Sequence, residues 1–157
     1  MARRARIRRV LYSRIRLTAA LGCLWLTAIT LPDHAYSNIR TVQSMLASIV
    51  NRYTEAVDRR LPNEVLSTIH SQSPMLTTAI RQIRELFPLY DIEVMNQDFT
   101  HLGFDGTDQV ATVTFSYRKR SGPFYRDNLT KAVFVFRQED GTWKIWAMLP
   151  IDVKPLP

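Results

Sequence analysis

From Asn38 the apolar positions fall at helical spacing. Val42, Leu46, Ile49, Tyr53 and Ala56 are four, three, four and three residues apart, which places them in one stripe. This predicts a first helix from about Ile39 to Arg60, stopped by Pro62. Asn63 then offers a cap for a short second helix holding Val65, Leu66 and Ile69. Ser73-Pro74 is a further start signal, because a serine accepts from free amides and proline fits the first turn; Leu76, Ile80, Ile83 and Phe87 form the stripe of that third helix. Pro88 ends it.

After Pro88 the period drops to two. Tyr90, Ile92 and Val94 open one run; Ala111, Val113, Phe115 and Tyr117 share one face of a second; Ala132, Phe134 and Phe136 alternate with Val133 and Val135 in a third. The fourth run, Thr142 to Leu149, reads TWKIWAML. Strict alternation there sends Trp143, Ile145 and Ala147 one way, and Trp146 and Met148 the other, so both faces of the last strand carry large apolar groups. Asp105-Gly106, Ser121-Gly122-Pro123 and Asp140-Gly141 supply turn chemistry between the runs. Helices followed by a strand meander predict an α+β domain, with helices segregated to one face of an antiparallel sheet.

Composition changes the picture mainly at the N-terminus. The formal net charge of the 157 residues is +7, but residues 1–37 hold seven Arg against the single Asp33, and the remainder is nearly balanced, at 14 basic against 13 acidic residues. The Arg-rich start, the apolar run from Leu17 to Leu31 and the small residues Ala35 and Ser37 have the layout of a secretory leader, with cleavage expected after Ser37 and a periplasmic or secreted domain over 38–157. Fifteen apolar residues make a helix of about 22 Å, shorter than a bilayer core of roughly 30 Å, so membrane attachment is expected only if the leader is retained as an anchor. The single cysteine, Cys23, lies in that apolar run; its removal leaves no thiol for a disulfide, a metal or a nucleophile.

The helix pair, third helix and long strands ending in VFVFRQEDGTWKIWAML resemble the nuclear transport factor 2-like superfamily, which includes SnoaL-like and ketosteroid-isomerase-like proteins, over about Thr41 to Asp152. The resemblance implies a cone: a strongly curved antiparallel sheet of about four strands wrapped over three N-terminal helices, with a pocket between them. It also implies a homodimer through the outer sheet face, which would cover the second apolar face of the last strand. The pocket is expected from Ile49, Tyr53, Ile80, Ile83, Phe87, Phe115, Tyr117, Phe134, Trp143 and Trp146. Such a lining suits a small apolar ligand or a peptide.

Arg52 to Asp58, RYTEAVD, resembles the helix segment that carries the catalytic tyrosine of ketosteroid isomerase, which makes Tyr53 the matching phenol. That chemistry also needs a carboxylate base and a second, protonated acid. His70-Ser71-Gln72-Ser73-Pro74 contains no acid where the base would lie, and Ala132 stands where the second acid would, so the isomerase reaction is not expected. Tyr53 is read first as a core residue whose hydroxyl finds a partner, and second as a ligand contact. Asp127, beginning the third strand, is either a rim carboxylate that polarises a ligand or a surface partner of Arg126. His70 is expected to satisfy terminal helix carbonyls and His101 to face solvent; the two show no metal spacing, and no cofactor motif is present.

Arg118-Lys119-Arg120, with aromatics nearby, is the one basic cluster after residue 37 and reads as a solvated hairpin tip; no nucleic-acid partner is expected. The chain is thus expected to be an exported, non-catalytic binding domain. The alternatives are a SnoaL-like enzyme using Tyr53 and Asp127 in one pocket, or a membrane-anchored assembly scaffold.

Overall fold

The computed structural model describes residues 33–157. Most of the expected leader and Cys23 lie outside the described residues. Three helices, α1 (Asp33–Asp58), α2 (Pro62–Thr68) and α3 (Leu76–Leu86), precede four strands, β1 (Asp91–Asp105), β2 (Asp108–Ser121), β3 (Asn128–Glu139) and β4 (Thr142–Pro155). The strands form one antiparallel sheet in the order β1-β2-β3-β4, so each pairs with its neighbour in sequence.

The helix α1 buries Leu46, Val50 and Ala56, with Val42, Ile49, Tyr53 and Val57 packed around them. Its end is closed by Arg60 at φ +53: Arg60 donates its amide to the Val57 carbonyl and Leu61 donates to that of Ala56, a Schellman pattern. Pro62 opens α2 as well as stopping α1, since its fixed φ and missing N–H suit a first helical turn. Asn63 therefore lies inside the helix and is not its cap. Ser73 and Pro74 fall in the turn before α3, whose N-cap position is Met75 without a side-chain cap; Ser73 accepts the Met75 amide at 3.1 Å, and its own hydroxyl donates to the Trp146 carbonyl at 2.6 Å.

The inner sheet face carries Val94, Ala111, Val113, Phe115, Ala132, Phe134, Phe136, Trp143 and Ile145, all buried against α1. Phe136 and Phe134 of β3 and Phe115 of the adjacent β2 form a row, with ring centroids 5.9 and 5.7 Å apart. Tyr53 meets Phe134 edge-on at 6.4 Å. Extra residues at Gln97 and Leu102 in β1, and at Trp146 and Ile151 in β4, shift the pairing register and bend the two edge strands.

The bulge at Trp146 overturns strict alternation in TWKIWAML. Ile145 pairs with Phe136, but Ala147 pairs with Val135 and Met148 with Phe134, so Met148 rejoins Trp143 and Ile145 on the inner face. Ala147 takes the outer face with Val135. Trp146 is covered within the chain: the Arg137 guanidinium sits 3.8 Å over its ring and His70 packs edge-on at 5.0 Å. The segment before α3 also shields the free edge of β4, because Ile69 bridges Ile145 and the His70 amide donates to the Ile145 carbonyl at 2.9 Å.

Two predictions test this packing. Gly122 has φ +114, and an added methyl would lie 2.5 Å from the Leu89 carbonyl oxygen; at Gly141 (φ +76) a methyl would meet nothing within 4 Å. Gly122→Ala is expected to cost about 2–3 kcal/mol, and Gly141→Ala about 1 kcal/mol, in urea unfolding with unchanged m. Arg137 grips Asp108 through two hydrogen bonds of 2.8 and 2.6 Å, and the pairing holds the Asp108 carboxyl below its usual range. A lowered folded pKa stabilises the fold above the ordinary carboxylate range, and that contribution disappears as pH falls through the lowered value. Asp108→Asn is therefore expected to flatten the acid limb of a stability-versus-pH curve.

Candidate ligand-binding site

Where the aromatic row ends, the cone is unfilled. Tyr117 follows Phe115 on the same face of β2, with centroids 6.1 Å apart, and beyond it lies a cavity of about 260 Å³. Its walls come from Tyr53, Val57 and Arg60 of α1, Val65 of α2, and Ala79, Gln82, Ile83 and Leu86 of α3. Phe87, Tyr90, Ile92, Val94, Tyr117, Tyr125 and Met148 complete them. The face of α3 that reaches the cavity runs Ala79-Ile83-Leu86, a helical spacing that passes beside Ile80.

Polarity in the lining is concentrated in phenols. Burial pushes the Tyr53 hydroxyl up to about 12, and no hydrogen bond engages that hydroxyl among the described residues. Tyr117 is raised by burial and further by the neighbouring phenols of Tyr53 and Tyr125. Burial also raises Tyr125, against the opposing pull of the Asn128 amide, which donates to its oxygen at 2.9 Å. Arg60 is the one cation of the lining among the described residues and faces Asp91 at 3.5 Å. Among the described residues no carboxylate or imidazole lines the cavity. Phenols held protonated can donate to a ligand oxygen, but they do not act as bases near neutral pH.

Four expected pocket residues, Tyr53, Ile83, Phe87 and Tyr117, line this cavity. Phe115 and Phe134 are fully buried in the core below it. Ile49 and Trp143 line a separate groove, Trp146 occupies the β4 bulge, and Ile80 is 38% exposed, because Ala79 takes the inward position on α3. Tyr125, Gln82 and Met148 were not legible as lining residues: the first lies in an irregular connection, and the last reaches the inner face only through the bulge.

The two catalytic candidates are not brought together. Tyr53 lines the cavity, whereas the Asp127 carboxylate is outside that lining and accepts the Lys119 amide at 2.8 Å. Arg120, expected in a solvated basic cluster, instead pairs with Asp58, Glu93 and Asp91 at 3.1, 3.4 and 3.6 Å. This clasp ties the β1–β2 hairpin to the end of α1.

Neither histidine is placed as expected. The His70 Nδ1 accepts the Gln72 amide at 3.0 Å, so it binds no helix carbonyl through that atom and its 3.6 Å approach to Glu139 is not a hydrogen bond. His101 is half-buried, with Nε2 at 2.7 Å from the Gln109 side-chain oxygen. Among the described residues no group of His, Cys, Asp and Glu is arranged to hold a metal, and no helix is long and apolar enough to cross a membrane.

The arrangement is the nuclear transport factor 2-like cone, and solved structures share it. A candidate aromatic ring hydroxylase from Novosphingobium aromaticivorans is similar at a TM-score of 0.58 and 12% identity, over 73% of this chain and 92% of that one. The hexachlorocyclohexane dehydrochlorinase LinA-type3 from Novosphingobium barchaimii gives 0.54 and 13%, over 79% and 92%. A ketosteroid isomerase-like protein from Erwinia carotovora atroseptica gives 0.51 and 10%, over 70% and 96%. At these identities the likeness establishes the fold alone. No curated protein matches the sequence. Residues 48–156, from the middle of α1 through the end of β4, match the family model described as the C-terminal domain of anti-sigma-I factor RsgI9, and the chain belongs to that family.

Proposed function

We infer that the chain is an exported, non-catalytic binding domain that holds a small, neutral, largely apolar ligand in the cone. The observation that carries this reading is the lining itself: aliphatic and aromatic walls, protonated phenols and no group that could serve as a general base. An anion would lose its hydration there with only Arg60, already paired, to compensate. A ketone or ester oxygen, in contrast, would meet the unengaged Tyr53 hydroxyl. Export rests on the leader pattern of residues 1–37.

Dimerisation through the outer sheet face belongs to the same proposal. Trp146 no longer argues for a partner, because Arg137 and His70 cover it. What supports the dimer is aliphatic: Leu149, paired with Val133, and Ile151 are each 56% exposed on β4, and Met95 is 43% exposed on β1.

Displacement of the neutral fluorophore N-phenyl-1-naphthylamine by 2-decanone and by decanoate tests the cavity reading. The ketone is expected to displace it and the carboxylate to do so poorly; the reverse order would overturn the neutral-ligand assignment. Tyr53→Phe is expected to leave stability unchanged, since its hydroxyl has no protein partner, and to weaken ketone binding about two- to tenfold. An ultraviolet titration supplies an independent check. Tyr53 should ionise only near 12; because the unfolded chain gives up this proton first, stability falls as pH rises from the ordinary tyrosine value toward the folded one, and Tyr53→Phe should remove that part of the fall.

A further inference from the structure

A second depression, of about 360 Å³, shares no lining residue with the cone cavity. One face of α1 (Ser44, Met45, Ser48, Ile49, Arg52), the end of α2 (Ser67, Thr68) and the start of β4 (Thr142, Trp143, Lys144) enclose it. Its chemistry is the opposite of the cone's: two cations and several hydroxyls, with no carboxylate in the lining among the described residues.

Arg52 and Lys144 are set apart by sharing one concave lining. Arg59, Arg60, Arg120 and Arg137 each face a carboxylate, while Arg81, Arg84, Arg118, Arg126 and Lys131 have no ion pair among the described residues. Arg52 has no ion pair among the described residues, and it lies one helical turn after Ser48, on the same face of α1. Lys144 is held at the groove because its ammonium donates to the Ser67 carbonyl, which leaves two of its three protons available. Glu139 senses the Lys144 charge, but its carboxylate takes the Ser71 amide at 2.9 Å and does not line the groove.

The hydroxyls divide into two sets. Those of Ser44, Ser67 and Thr68 donate to helix carbonyls at 2.8, 2.7 and 2.7 Å, so their protons are engaged. Those of Ser48 and Thr142 have no hydrogen bond among the described residues and remain free to donate. Beside these donors Met45 is 45% exposed, and Ile49 and Trp143 add apolar wall.

We propose that this groove binds an oxyanion, a carboxylate or phosphate group borne on a small apolar body. Arg52 and Lys144 supply the charge, Ser48 and Thr142 the neutral donors, and Met45, Ile49 and Trp143 the wall for the body. A guanidinium and an ammonium beside two hydroxyls match the several acceptor oxygens of such a group. The site is independent of the cone reading, since the two linings neither overlap nor favour the same charge.

The test is a ¹H–¹⁵N titration of the full chain with benzoate, phenyl phosphate and inorganic phosphate. Saturable shifts at Ser48, Arg52, Thr142 and the Trp143 indole are expected with at least one organic anion, and the tighter of the two identifies the oxyanion. Arg52→Gln is expected to weaken that binding about tenfold or more while leaving circular dichroism and neutral-fluorophore uptake by the cone unchanged. Absence of saturable shifts from both organic anions, or shifts that persist in Arg52→Gln, would overturn the site. Inorganic phosphate binding as tightly as phenyl phosphate would overturn the role given to the apolar wall.

Discussion

The packing of the inner aromatic row against α1 is the constraint on which the rest of the structure depends. Phe136, Phe134 and Phe115 are fully buried on neighbouring strands and lie within contact of one another, with Leu46 and Val50 also wholly buried in the same cluster. Each such ring removes some 200 Å² of apolar surface from water, up to about 5 kcal/mol at roughly 25 cal/mol per Å². The row fills one part of the cone and ends in Tyr117. Past that point the helices and sheet diverge around α3, and the cavity is what the row leaves unfilled. Core and site are therefore adjacent parts of one surface, and Tyr53 belongs to both, touching Phe134 while lining the cavity.

A curved sheet requires breaks in its pairing, and the bulges that provide them also aim particular side chains. The break at Trp146 returns Met148 to the cavity wall and presents Trp146 to Arg137 and His70. The strand edge there is closed by Ile69 and His70, so the segment between α2 and α3 works as a covering strip, with no acid among its residues 70–74. Charge follows a related division. Arg120 and Arg137 are tied to carboxylates, the described lining of the cone holds protonated phenols beside the paired Arg60, and Arg52 and Lys144 share a groove of their own. One small domain thus offers two binding environments of different electrostatic character.

Much of this architecture is legible in the sequence because periodicity reports burial directly. The change from helical to alternating spacing at Pro88 locates the boundary between helices and sheet, and the alternation of Ala111, Val113, Phe115 and Tyr117 identifies the inner face of β2. What periodicity misses is local. A bulge changes the face of every later residue, which is why Ala147 and Met148 exchange places relative to strict alternation. Ile80 looks equivalent to Ile83 in a stripe, yet the smaller Ala79 makes the inward contact. Arg120 reads as part of a basic run because its acidic partners, Asp58, Asp91 and Glu93, are distant in sequence. The phenols Tyr117 and Tyr125 converge only after the β2–β3 connection folds back, a tertiary fact without a sequence signature.

We propose that the cone is occupied in its native setting by a neutral small molecule. Native mass spectrometry of the protein recovered from its own host, with no ligand added, tests this most directly. The expected species is a chain beginning at Asn38, doubled in mass, with a neutral adduct that is lost when Ala79→Trp fills the cavity. A full-length species extracted from membrane and carrying no adduct would contradict it.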